Sequence, residues 1–255
     1  MRFSRVTLDE LRIGDERSMR KLALYLRLKQ RLVADAYRFR VSDERIGWDR
    51  AALLNLSFWS PDDTADVIVE RALPADVVMH VAWHHVARRG LGRAGNTVDG
   101  MLLGESIASA FDAYVIGRLL TDAPRSPILE SQVEAMRDSL PLTGPALGRL
   151  LAVLAADPNR AFGSLRAFLF DVATSLSRAR GIDDAARRLA AVDAHEFASL
   201  LPHYNVSNWV LHSRAYGPPI GAKIDARIAR IDRALRKAPI GLDWIEREWL
   251  RPFEA

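Results

Sequence analysis

With 255 residues, 49% of them hydrophobic, the chain is long enough for one large domain or two small ones, and its composition excludes disorder as the main state. The formal charge is only +4, and the arginines behind the pI of about 9.7 are scattered among acidic residues, so nucleic acid is not a favoured partner. The absence of cysteine excludes disulfides, thiolate nucleophiles and cysteine-ligated metals. Any bound metal must therefore use histidine and carboxylate ligands.

The hydropathy pattern gives no sign of a membrane segment. No apolar run approaches the roughly 20 residues of a spanning helix, and the first residues, MRFSRVTLDELR, lack the apolar stretch of a signal peptide. We therefore expect a cytoplasmic protein without a membrane partner.

The first half of the chain predicts helices around one irregular region. Apolar residues at helical spacing predict one long helix from Glu16 to about Arg40. A short helix near 50–56, a turn at 60–63 and a brief β-like run at 66–70 are expected next. Pro74 and Asp76 favour a helix start, so we predict a helix from about 74 to 89 that ends at Gly90. A glycine-rich connection then leads to a helix at about 101–120.

The second half predicts more helices, separated by proline- and glycine-containing breaks. They are expected near 127–138, 144–156, 159–179, 183–201, 220–236 and 242–249, with a long polar and aromatic loop at 203–219. The sequence contains no internal repeat. It therefore predicts a mainly α protein with at most a minor β element: a single domain, residues 1–255, with a helix pair at about 74–120 and a C-terminal helical part at about 127–255.

One group of residues has the spacing of a metal site. His80 and His84 are four residues apart on a predicted helix, so their imidazoles project from one face and can reach a single ion. Glu105 follows 21 residues after His84, on the next predicted helix. The three residues predict a His₂Glu ligand set with one open coordination position, with zinc as the expected metal and iron as the alternative.

These residues resemble the gluzincin (thermolysin-like) zinc metallopeptidases, which contain H-E-x-x-H and, about 20 residues later, a glutamate in a helix. His80-Val-Ala-Trp-His84 matches the first element except at its glutamate, and the segment from Gly104 to Phe111 looks like the second. The resemblance covers about 40 residues. It implies a zincin-like helix pair in which His80, His84 and Glu105 hold zinc.

The chain departs from that family at the catalytic base. Val81 stands where the family has the glutamate that activates zinc-bound water, and valine cannot accept a proton. Ser109 stands where the family often has an aspartate that orients a histidine ligand. The resemblance therefore implies a catalytically degenerate or atypical site.

Other polar residues are weaker catalytic candidates. Displaced carboxylate bases are expected among Asp76, Asp112 and Glu70. His203, Tyr204 and His212, in the predicted 203–219 loop, are candidates for oxyanion donors or additional ligands.

Ordinary structural roles are open for several of the same residues. His84 and His85 are adjacent and cannot face the same way, so His85 is expected to pair with a carboxylate or the backbone. Glu105 lies in an otherwise apolar predicted helix, and a buried carboxylate needs a partner. A salt bridge to an arginine is its ordinary structural role. Asp112 is equally consistent with a surface carboxylate, and Asp76 with a residue that only complements the helix dipole.

Three functions follow from this pattern and stay open at the level of sequence. The first is a zinc-binding hydrolase or a degenerate relative of one. The second is a helical non-haem iron oxygenase that uses the same ligands with Asp112. The third is a non-enzymatic protein-binding or assembly protein built on a zincin-like helix pair. The substrate or partner is not indicated by any motif.

Overall fold

The computed structural model describes residues 3–42, 67–68, 70–221 and 223–250. The predicted helix near 50–56 and the turn at 60–63 lie outside these residues. The protein is mainly α, as the sequence predicts. Within the described ranges, no helix combines the length and apolarity needed to span a bilayer.

The helices and strands are as follows. The strands are β1 Phe3–Thr7, β2 Arg12–Gly14, β3 Arg38–Ser42, β4 Val67–Ile68 and β5 Ala72–Pro74. The α-helices are α1 Glu16–Met19, α2 Ala23–Ala34, α3 Ala75–Leu91, α4 Val98–Asp122, α5 Pro127–Ser139, α6 Gly144–Ala156, α7 Pro158–Ser177, α8 Ile182–Ala190, α9 Val206–Tyr216, α10 Ala226–Lys237 and α11 Gly241–Ile245. Short 3₁₀ turns cover 8–10, 92–96 and 198–200, and a π-helical turn covers 246–250.

By its internal contacts the chain divides into two compact units, residues 1–85 and 86–255. The first unit contains two small sheets. In one, β1 pairs antiparallel with β3, which pairs parallel with β4; in the other, β2 pairs parallel with β5. Helix α2 buries Tyr25, Leu28 and Leu32 at helical spacing, and Phe39 of β3 is also fully buried. The apolar face of α2 is thus the one that the sequence predicts.

Glu16 at the start of α1 anchors a polar network in the first unit. Its carboxylate accepts hydrogen bonds from the Lys29 ammonium, the Tyr25 hydroxyl and the Arg20 guanidinium. The hydrogen bond from Lys29, aided by those from Tyr25 and Arg20, outweighs the effect of burial and lowers the pKa of Glu16 from 4.5 to about 2. The carboxylate is therefore ionised in the folded chain at all ordinary pH values.

The second unit is built around α4. Eighteen of the 25 residues of this helix are buried, and the helix packs against α6, α7 and α9. Such a helix is apolar on nearly all sides, which is the pattern of a central core element. Gly117 allows α4 and α6 to approach closely: a Cβ atom there would lie 2.3 Å from the Leu154 carbonyl oxygen of α6. Any larger residue at this position would push the two helices apart.

Several predicted helix boundaries are wrong. The predicted helix 16–40 is two helices followed by a strand: Ala36 has a positive φ of 47°, and Phe39 and Val41 then alternate into the first sheet. The predicted helix 183–201 ends at Ala190 and continues as turns. The helix predicted at 220–236 begins only at Ala226, where Asp225 caps it. The remaining predicted helices agree with the structure within about three residues.

Candidate metal centre

The structure brings the two predicted histidine ligands together on α3. The Nε2 atoms of His80 and His84 are 3.1 Å apart, and their ring centroids are 4.8 Å apart. Both side chains are partly buried. This proximity follows from the four-residue spacing, which stacks the two side chains one turn apart on the same helix face.

His85 faces away from this pair, as the sequence predicts. Its Nε2 lies 2.6 Å from Oδ2 of Asp35, which also accepts a hydrogen bond from the Arg31 guanidinium. Burial alone would raise the pKa of the Asp35 carboxyl, but the hydrogen bonds from Arg31 and His85 outweigh it and lower that pKa. His85 thus has a structural role in the first unit.

Val81 is buried, with 8% of its surface exposed. Its side chain is a hydrocarbon and provides no proton acceptor at this position. Asp76 lies in the first turn of α3, where its Oδ1 accepts a hydrogen bond from the Val77 backbone N–H at 3.0 Å. A carboxylate in the first turn complements the positive end of the helix dipole.

Glu105 and Asp112 lie on α4, seven residues apart. Both are only partly buried, whereas most of the helix is fully buried. Seven residues correspond to two helical turns, so the two carboxylates lie on one stripe of the helix surface, about 10 Å apart along its axis.

Asp112 interacts electrostatically with two of the catalytic candidates, His203 and Tyr204. Its negative charge acts on both residues, which precede α9 in the second unit. Burial lowers the pKa of His203, with Asp112 opposing the shift, so the imidazole is held in its neutral form. His203 Nδ1 lies 2.7 Å from the Ser139 hydroxyl at the end of α5. Since that hydroxyl already donates to the Ala135 carbonyl at 2.7 Å, it accepts from the imidazole.

Tyr204 carries a buried hydroxyl without a hydrogen-bond partner among the described residues. Burial, reinforced by the charge of Asp112, raises the pKa of this phenol well above its usual value. Tyr204 therefore stays a neutral hydrogen-bond donor. Ordered water is the usual partner of such a buried polar group.

His212 does not lie in a loop. The predicted loop at 203–219 is wrong over most of its length, because residues 206–216 form α9. Val206, Val210 and Ser213 are buried at spacings of four and three residues, which is a helical stripe. The polar and aromatic composition of the segment masks this periodicity. His203 and Tyr204 precede the helix, whereas His212 lies within it.

Two ion pairs in the second unit, one buried and one partly buried, were not predicted from the sequence. Arg166 of α7, 1% exposed, binds Asp232 of α10, and Arg178 binds Asp99 with Nη2 to Oδ1 at 2.8 Å. The second oxygen of Asp99 accepts the backbone N–H of Asp225 at 2.9 Å. An arginine inside the apolar run AFGSLRAFLF was a signal for the first pair, since a buried guanidinium needs a counter-charge.

Within residues 3–42, 67–68, 70–221 and 223–250, no group of three or more histidine, aspartate or glutamate side chains is arranged to hold a metal ion. Of the three predicted ligands, His80 and His84 are in direct contact with each other.

Comparisons with protein-family models, curated proteins and solved structures give no similar family, protein or fold.

Proposed function

We propose that this chain is a divalent-metal-binding protein, with zinc as its metal, in which His80 and His84 supply two imidazole ligands. The distance of 3.1 Å between their Nε2 atoms supports this proposal. Zinc–nitrogen bonds of about 2.0–2.1 Å to two such atoms enclose an angle of about 100°, close to tetrahedral coordination. The separation of the two nitrogen atoms is therefore compatible with a single bound ion.

The protonation state required by the pair also supports the proposal. Two Nε2 atoms in hydrogen-bond contact need one donor and one acceptor, so at least one of the imidazoles must have an unprotonated Nε2. An imidazole nitrogen with a free lone pair is the form that binds a metal. Without metal the contact is an ordinary hydrogen bond, and metal binding would replace the shared proton.

Glu105 is proposed as the third ligand on the basis of its spacing in the sequence. A His₂Glu set leaves an open position, and zinc bound in such a set acts as a Lewis acid on an oxygen ligand. Iron is compatible with the same ligands and is the alternative metal. Val81 is apolar and buried, so the proposal is metal binding and does not include a gluzincin-type peptidase reaction.

Elemental analysis tests this proposal. The full chain is purified without added metal and compared with His80→Ala, Glu105→Ala and the matched control His85→Gln, whose imidazole belongs to the Asp35 pair. We expect about one equivalent of zinc in the parent and the control. We also expect a loss of bound zinc of at least about tenfold in His80→Ala.

Each result assigns a residue. Loss in His80→Ala alone would remove Glu105 from the ligand set and keep the histidine pair. Equal metal in the parent and His80→Ala, or none in a folded parent reconstituted with zinc, would refute the proposal. Stoichiometric iron in place of zinc would identify iron as the bound metal. Activity assays would then be directed to oxygen-dependent chemistry.

A further inference from the structure

A second candidate site lies in the second unit and uses none of the residues of the proposed metal site. The last turn of α3, helix α10 and the segment 241–250 enclose a groove with a volume of about 490 Å³. We call it the arginine–tryptophan groove, since the lining includes Arg89, Arg227, Arg230, Trp244, Glu248 and Trp249. Its volume lies in the range of small-molecule sites, about 300–1,000 Å³.

The groove is positively charged. Three guanidiniums line it against one carboxylate, Glu248, which already pairs with Arg247 at 2.9 Å. Arg230 makes no ion pair with any described residue, and Arg227 donates to the Gly90 carbonyl oxygen at 3.1 Å. Arg227 and Arg230 are three residues apart on α10, so their side chains are neighbours. A pair of guanidiniums without carboxylate partners is suited to bind a phosphate or carboxylate.

The groove also has an aromatic wall. The rings of Trp244 and Trp249 meet edge to face, with centroids 5.7 Å apart. Trp249 is 6% exposed and packs directly on the backbone of Gly90, where an added Cβ atom would lie 2.4 Å from the indole. Trp249 is therefore fixed in place and supports Trp244, which is only partly buried. An indole in such a position can stack on a planar ring.

We propose that the arginine–tryptophan groove binds a small organic anion that carries a planar ring, with the anionic group on Arg227 and Arg230 and the ring against Trp244. A nucleoside monophosphate has this combination and is the probe used in the test. The guanidiniums alone would select any anion, and the indoles alone any flat apolar ring. The two features in one groove favour a ligand that has both.

The test is a titration of the full chain with AMP at low salt. Binding is measured by calorimetry and by the change in tryptophan fluorescence. Adenosine and inorganic phosphate serve as probes for each half of the ligand. We expect saturable binding of AMP, at least about tenfold tighter than either probe, and weaker at high salt. We expect Arg230→Gln to weaken AMP binding about tenfold or more, and Trp244→Leu about fivefold or more.

Arg233→Gln is the matched control, because Arg233 is an exposed arginine of the same helix that does not line the groove. It should change AMP binding by less than about twofold. Circular dichroism of each variant confirms that it is folded. No saturable binding of AMP, or equal binding by the parent and Arg230→Gln, would overturn the proposal. Equal binding of phosphate and AMP with no effect of Trp244→Leu would also overturn it, since that result describes a simple anion site.

Discussion

The buried pair of Arg166 and Asp232 gives the sharpest stability prediction. Arg166 is 1% exposed, and burial lowers the pKa of its guanidinium despite the opposing effect of Asp232. Asp232 is 9% exposed and also accepts the Nε–H of Arg236 at 2.9 Å. Replacing Asp232 by alanine leaves a guanidinium buried without its counter-charge. Removal of one partner of such a pair costs about 3–5 kcal/mol of the free energy of unfolding.

The same network contains its own control. Arg236 joins Asp232 to Asp171, whose side chain is 62% exposed, with Arg236 Nη2 to Asp171 Oδ1 at 2.6 Å. An exposed ion pair contributes about 0–1 kcal/mol, so Asp171→Ala should have little effect. The charge-removing variant Asp232→Asn keeps the shape and one acceptor, and should fall between the two at about 1–3 kcal/mol.

Urea unfolding at neutral pH, followed by circular dichroism, measures all three variants. We expect the order of destabilisation to be Asp232→Ala, then Asp232→Asn, then Asp171→Ala, without a change in the dependence on urea concentration. Losses below about 1 kcal/mol for Asp232→Ala, or equal losses for Asp232→Ala and Asp171→Ala, would show that the buried guanidinium does not depend on this carboxylate.

Three further predictions follow from single residues. Glu16→Gln should lower the free energy of unfolding above pH about 4.5, and this deficit should shrink as the pH falls towards about 2, because the pKa of Glu16 is about 2 in the folded chain. Gly90→Ala should lower the free energy of unfolding by about 1–3 kcal/mol and shift tryptophan fluorescence, because the added Cβ would displace Trp249. Gly148→Ala, on the open surface of α6, should instead raise the free energy of unfolding by about 0.5–1 kcal/mol. Tyr204→Phe should be neutral or stabilising by up to about 1 kcal/mol, because it removes an unpaired buried hydroxyl.

Each of these predictions has a contrary result. A pH-independent effect of Glu16→Gln would mean that the carboxylate contributes through packing and not through its charge. Equal melting shifts for Gly90→Ala and Gly148→Ala would refute the contact at Gly90. A loss of more than about 1 kcal/mol in Tyr204→Phe would show that the hydroxyl does have a hydrogen-bond partner, such as a bound water.

The sequence predicts the helices of the second unit well because their ends carry local signals. Pro127 follows Ser126, whose hydroxyl caps α5, and Pro158 follows Asp157, whose carboxylate caps α7. Proline at the first helical position and a capping side chain before it act within one turn of the chain. Such signals can be found without knowledge of the tertiary structure.

The strands of the first unit could not be predicted in the same way. The run from Arg38 to Ser42 continues the helical spacing of α2 as far as Phe39, yet it forms β3 because β1 and β4 pair with it on both sides. Pairing partners far away in the chain thus override the local pattern. The positive φ of Ala36 that ends the helix has no glycine or asparagine to announce it.

In the candidate site too, contacts between residues close in the sequence could be predicted, whereas contacts between distant residues could not. The contact of His80 with His84 follows from a spacing of four residues, and the sequence predicts it. The relation of Asp112 to His203 and Tyr204 joins residues about 90 positions apart, and it depends on how α4 and α9 pack. The sequence named all three as candidates, but the electrostatic interaction among them depends on the fold.

The burial of α4 has a consequence for the side chains that it carries. A helix enclosed along most of its length opens only when its unit unfolds, so its amide protons should be among the slowest to exchange with solvent. Glu105 and Asp112 therefore lie on a well-packed helix, and their backbone positions do not depend on a bound ligand. Such preorganisation reduces the entropy lost when a carboxylate engages a ligand.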